Sequence, residues 1–213
     1  AECVEYRGRF LPAIERTLSE LVAQPTWTWA PHDRNLRNFR ERNYDVDLFS
    51  ADTAHDLAQA LYMLGERLNP ELRRNTLDAL EARVFAPLRR SFAGMNKDNG
   101  WLKADHNWNA VCLKGAVAAA QAVLPDRHDR ALFVAAGEHY IRSYPAGFPA
   151  DGYSVEGPSY WNYGFSHFVE LREVLMQASG GRIDLFAEPK VRTIALYGVR
   201  IEMAPGNIAA FSD

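Results

Sequence analysis

Ser50-Ala51-Asp52-Thr53-Ala54-His55-Asp56-Leu57-Ala58-Gln59-Ala60-Leu61-Tyr62-Met63-Leu64-Gly65-Glu66-Arg67-Leu68 is the stretch from which the fold class is read. Ala54, Leu57, Ala58, Leu61 and Leu64 recur at intervals of three and four, so they share one face of an α-helix. Ser50 stands where an N-cap belongs, and Asn69-Pro70 stops the run. Nowhere along the chain does apolar and polar alternation of period two persist, which a half-buried strand requires. The expected class is all-α.

Working outward gives the same periodicity on both sides. Ile14, Leu18, Leu21 and Val22 predict a helix over Phe10 to Val22, with Pro12 tolerated in its first turn. Gln24 to Asn43 reads as a long loop with one short helix, and its Arg34, Arg37, Arg40 and Arg42 read as a solvated face or the lining of an anionic groove. Downstream, Glu71 to Phe92 reads as a helix that Pro87 kinks or ends. Gly94 to Lys103 reads as a loop. Further helices are expected over His106 to Leu124 with Asp105 as cap, over Arg130 to Ser143, over Tyr163 to Ala178, and over Glu188 to Met203. Short and long connections alternate between them, the pattern of stacked antiparallel helical hairpins.

The chain has 213 residues, within the range of one domain or at most two. A hydrophobic share of 47% is that of a globular protein, and a formal charge of −3 gives no argument for nucleic acid as a partner. Aromatic residues reach 12%, and three of the five Trp stand beside polar residues in expected loops, which points to carbohydrate. Cys3 and Cys112 are too few for a disulfide framework, and Cys112 lies in an apolar helical run where a buried thiol is expected. His106, His128, His139 and His167 share no metal-ligand spacing, so neither metal nor other cofactor is expected. No run is long enough for membrane insertion. Without an initiator Met or a signal pattern, the chain reads as processed or cut from something longer.

Two stretches mix aromatic and polar groups densely. One is Asp151-Gly152-Tyr153-Ser154-Val155-Glu156-Gly157-Pro158-Ser159-Tyr160-Trp161-Asn162-Tyr163-Gly164-Phe165, a loop that Ser159 is placed to convert into a helix. The other is Asp105-His106-Asn107-Trp108-Asn109, at a helix N-terminus where N–H groups favour an anion. Together they point to one shared cleft. His106 either titrates near neutrality in that cleft or caps its helix. Asn107 offers amide donors, whereas Asn109 offers the same or holds a loop backbone. Tyr160 and Tyr163 offer phenols able to move protons beside a cation, whereas Tyr163 and Trp161 read equally as core. Glu156 is a candidate acid or an orienting group.

These two stretches, together with Asp47-Leu48-Phe49 through Leu68 and the closing Pro205-Gly206 to Phe211-Ser212-Asp213, resemble the heparinase II/III family of polysaccharide lyases over most of the chain. The resemblance implies a partial (α/α) toroid of helical hairpins spanning 1–213 as a single domain. It implies also that the C-terminal β domains of the same chain, and a histidine they contribute, lie beyond this sequence. It implies a periplasmic or secreted protein that cleaves an anionic polysaccharide, such as a glycosaminoglycan or alginate, by β-elimination.

In such a reaction the C5 proton of a uronate becomes removable once its carboxylate is neutralised. A base takes that proton and an acid protonates the departing 4-oxygen, roles that tyrosine fills in the family. Carried over, Asn107 matches the asparagine that contacts the carboxylate, Tyr160 is the best match for the catalytic tyrosine, and Tyr163 is its rival. His106 and Glu156 complete the expected catalytic set, with Trp101, Trp108, Asn109, Trp161 and Asn162 expected to bind substrate. Many members read Asn-His-Gly where this chain reads Asn107-Trp108-Asn109, and its histidine precedes the asparagine. Two other classes fit the residues less closely. One is a glycoside hydrolase pairing Glu156 with Asp105 or Asp151, and the other is a glycan-binding domain without turnover.

Overall fold

The structure, a computed structural model, describes residues 1–96, 98–209 and 211. Its described residues are mostly helical, so the fold class is all-α. The chain divides into two units, residues 1–99 with 118–130 and residues 100–117 with 131–213.

The first unit opens with α1 (Glu2–Glu5) and α2 (Leu11–Ala23), which carries Pro12 in its first turn. It continues through α3 (Leu48–Leu64), α4 (Pro70–Leu80) and α5 (Ala86–Phe92), with α2 and α3 both packed on α4. Leu57, Leu61, Leu64, Leu80, Val84 and Leu88 are buried and form its core. The apolar stripe read from the sequence is therefore the buried face of α3. Its cap is Asp47 rather than Ser50: the helix starts earlier, and the Asp47 carboxylate accepts from the Ser50 N–H at 2.8 Å. The expected helix over Glu71 to Phe92 is in two pieces joined by a π turn, Glu81–Phe85. Pro87 brings no N–H to the helical ladder, and the turn before it widens.

The loop between α2 and α3 is ordered by buried polar groups. Asp33 accepts from the N–H groups of Asn38 and Phe39 and from the Asn38 amide. These hydrogen bonds hold the Asp33 carboxyl below the usual range in spite of its burial, which acts the other way. Arg34, Arg40 and Arg42 are exposed, as a solvated face would be, whereas Arg37 reaches Asp98 at 3.4 Å.

The second unit contains a 3-10 turn (Gly100–Lys103) and the start of α6 (Asn107–Val123), then most of α7 (Arg127–Tyr140). The short α8 (Ser143–Ala146), α9 (Gly157–Ser179), α10 (Pro189–Ala195) and α11 (Tyr197–Arg200) follow. The α9 helix begins at Gly157 with Pro158 in its first turn, so Ser159 lies inside it and does not cap it. The expected last helix, Glu188 to Met203, is broken at Leu196 and ends at Arg200. Beyond it, β1 (Glu202–Ala204) pairs antiparallel with β2 (Asn207–Ile208), because Pro205-Gly206 reverses the chain. Five exposed residues are too few to show a period in sequence. Of the closing segment that carries part of the family resemblance, Ala210, Ser212 and Asp213 lie outside the described residues. No helix among the described residues is long and apolar enough to cross a membrane.

Candidate functional site

Asn107 is the first residue of α6 and is 4% exposed. Both of its donors turn to one carboxylate. Its amide Nδ2 donates to Glu156 Oε1 at 2.8 Å, and its backbone N–H to Glu156 Oε2 at 3.4 Å. Glu156 sits immediately before α9, so its charge serves the N-terminus of α6 and not that of its own helix. That explains why α9 has no side-chain cap. The two polar–aromatic stretches, 49 residues apart, meet in this contact.

A second contact fixes the approach of the two helices. A Cβ added to Gly164 of α9 would lie 2.9 Å from Asn107 Cβ and 2.7 Å from the Tyr144 hydroxyl. Only a residue without a side chain allows α9 this close to the start of α6. Tyr144 itself is 1% exposed, with its ring edge-on to Phe148 at 5.1 Å. Burial, and then the charge of Glu156, pushes its phenol pKa far above the usual tyrosine value, so it is a donor and not a base. Its oxygen and Asn107 Oδ1 are both buried without a hydrogen-bond partner.

Tyr160, Gly164 and His167 follow at spacings of four and three, so they share one face of α9. Tyr160 is 38% exposed, one turn before the glycine that meets Asn107. Tyr163 is half-buried, with its ring edge-on to His167 at 4.8 Å. His167 Nδ1 lies 2.7 Å from the Tyr163 carbonyl; since a carbonyl only accepts, Nδ1 carries the proton. His106, Asp105 and Asn162 are exposed, and Trp108 is half-buried.

Three expected substrate contacts occupy structural positions. Asn109 is 0% exposed, and its amide donates to the carbonyls of Trp101 and Leu102, holding the 3-10 turn. Trp101 is buried at 6% exposed. Trp161 turns toward α10 and α11. Its indole N–H donates to the Ile194 carbonyl at 3.1 Å, and its ring lies so close to Gly198 that an added Cβ would meet it at 2.8 Å. Two of the three Trp rings are thus committed to packing, as large aromatics commonly are.

Sequence reasoning missed Tyr144 because an aromatic beside Pro145 in an expected loop carries no periodic signal. His167 was visible only as a histidine without ligand spacing, although its distance from Tyr160 was the available sign of a shared face. A cavity of about 360 Å³ lies elsewhere in this unit, lined by Ile141, Arg142, Pro145, Phe168, Arg182 and Glu188 among others, and none of the motif residues lines it. Among the described residues no three His, Cys, Asp or Glu side chains converge so as to hold a metal ion. No model of a known protein family matches the chain, and no curated protein matches it either.

Proposed function

We propose that the protein is a polysaccharide lyase of the heparinase II/III type, acting by β-elimination on a uronate-containing anionic glycan. Its helices would form the helical part of an (α/α) toroid. The observation that carries this reading is the Asn107–Glu156 contact, which joins the two stretches on which the family resemblance rests.

In the proposed mechanism an amide nitrogen has two hydrogens to offer. Glu156 accepts one from Asn107 and fixes the plane of the amide; the second is the donor for the substrate carboxylate. Neutralising that charge lets the C5 carbanion develop. The C5 proton passes to a phenolate, the C–H electron pair forms the C4–C5 double bond, and the C4–O4 bond breaks as O4 takes the proton back from that phenol, which returns to phenolate. Tyr160 is the group assigned to proton transfer, since it is exposed on the α9 face that meets Asn107. Tyr163 is the alternative phenol, His106 flanks the start of α6, and Glu156 is a positioning residue. The paired-carboxylate hydrolase has less support, because both Glu156 oxygens already accept from Asn107 at the N-terminus of α6.

The test is incubation of the full-length natural protein with alginate and with glycosaminoglycans. A product absorbing in the ultraviolet, with an unsaturated uronate at its non-reducing end, is expected. Saturated ends formed with uptake of water would overturn the proposal.

A further inference from the structure

We propose that the first unit carries a stacking platform for an acidic saccharide, built on Trp29 and Phe49; the choice of an acidic sugar as its ligand rests on the lyase reading. The platform starts from a buried carboxylate. Asp47 is 3% exposed, and four donors converge on it. They are the backbone N–H groups of Trp29 at 3.0 Å and Ser50 at 2.8 Å, the Ser50 hydroxyl at 2.7 Å, and His32 Nδ1 at 2.6 Å. One side chain therefore sets the backbone under Trp29, the ring of His32 and the first turn of the helix that bears Phe49. Behind it the Thr28 hydroxyl sits among Asn38, Asp45 and Ser50 at 3.1 to 3.2 Å, which makes the support rigid.

What this support holds outward is apolar. Trp29 is 51% exposed and Phe49 46%, with ring centroids 4.7 Å apart and planes tilted by 40°. His32 stands edge-on to Trp29 at 5.4 Å. Two adjoining large rings left half in water on a fixed support give an apolar face that a ligand can cover. A pyranose ring offers an apolar C–H face for such rings and a rim of hydroxyl and carboxylate groups for polar neighbours. His32 lies at that rim, and Arg34 turns back to the Pro31 carbonyl at 3.4 Å, next to it in the chain. The same loop exposes Arg34, Arg40 and Arg42 against one exposed carboxylate, Glu41, since the Asp33 charge is used inside. The loop's outward charge is positive on the Trp29 side, the complement of a uronate or a sulfate, whereas α3 places Asp52 and Asp56 three and seven residues beyond Phe49.

The experiment is titration of the purified protein with a short polyuronate oligosaccharide and with a neutral glucan oligosaccharide of equal length. Tighter binding of the polyuronate is expected. Trp29→Ala should weaken it about tenfold, the scale of one lost aromatic stacking contact. Phe49→Ala should weaken it less, and Arg34→Ala should weaken it at low salt only. In the native protein, bound polyuronate should slow oxidation of Trp29 by N-bromosuccinimide. Equal binding by folded Trp29→Ala and Phe49→Ala variants would overturn the platform. So would equal affinity for the neutral glucan, no polyuronate binding at all, or a Trp29 already unreactive without sugar because another segment or protein covers it. Platform binding that persists in a protein yielding no unsaturated product would uphold this inference while removing the lyase reading.

Discussion

Glu156 holds Asn107 at two points, accepting from its amide at 2.8 Å and from its backbone N–H at 3.4 Å. Removing the acceptor leaves a nearly buried amide and the first N–H of α6 without their partner. Glu156→Ala should therefore destabilise the protein by about 1–3 kcal/mol, the cost of orphaned buried donors, with Glu156→Gln intermediate. Urea denaturation measures this. A change within experimental error for Glu156→Ala would show that the contact does not tie the two helix starts.

Gly164→Ala puts a methyl group 2.7 Å from the Tyr144 hydroxyl and 2.9 Å from Asn107 Cβ. Overpacking of this kind should cost about 1–3 kcal/mol. Tyr144→Phe removes the first clash and leaves the second, so the double variant should recover part of the loss, a coupling of about 0.5 kcal/mol or more. Strict additivity in a double-mutant cycle would contradict the contact.

The helices were legible in sequence because each buries a stripe that repeats every three or four residues, as Leu57, Leu61 and Leu64 do. Their ends were less legible. Asp47 and Ser50 are both good caps, and only the fold shows that Asp47 is chosen, because it also serves Trp29 and His32. The candidate site was half legible. Both stretches stood out by composition, but the carboxylate joining them belongs to one and caps the other across 49 residues. No local pattern encodes a contact at that distance. Asn109 and Trp161 read as ligand contacts because amides and indoles serve backbones and sugars equally well, and burial alone separates the two uses.

The Tyr144 phenol, pushed up by burial and by Glu156, makes stability depend on alkaline pH. Below the ordinary tyrosine value of about 10 both folded and unfolded chains hold the proton, and the stability linked to this group is fully present. Above it the unfolded chain releases the proton first, so stability falls as pH rises. Tyr197, also raised chiefly by burial, contributes with the same sign. Tyr144→Phe should flatten the decline seen in urea denaturation above a pH of about 10. An unchanged slope would mean that this phenol ionises as freely folded as unfolded.

Asp47→Ala removes a helix cap and the common acceptor of Trp29, His32 and Ser50. The cap alone is worth about 0.5–2 kcal/mol, and the stranded buried donors add to it. Loss of order around Trp29 should shift its fluorescence before global unfolding. Asp47→Asn keeps an acceptor and should lose less. If both variants match the native protein in stability and emission, Asp47 does not organise the loop.

Tyr160 and Tyr163 lie one turn apart on α9, yet the structure distinguishes them. Tyr160 shares its face with Gly164, which meets Asn107, and its side chain is exposed. Tyr163 is half-buried against His167, whose Nδ1 lies 2.7 Å from its carbonyl. Elimination needs a phenol within reach of both C5 and O4 of a sugar whose carboxylate is on Asn107. Removing a group that only moves protons lowers kcat and leaves ground-state binding intact. In the full-length natural protein, Tyr160→Phe should thus lower kcat by a factor of about a hundred or more while KM changes little. Tyr163→Phe should act mainly through packing, with a small loss of stability and most of the turnover kept. Under the proposed mechanism Asn107→Ala, in contrast, should impair turnover and uronate binding together, because it removes the donor assigned to the carboxylate. Full turnover in Tyr160→Phe with loss in Tyr163→Phe would move the proton-transfer role one turn along α9. Full turnover in both would place that role outside this helix.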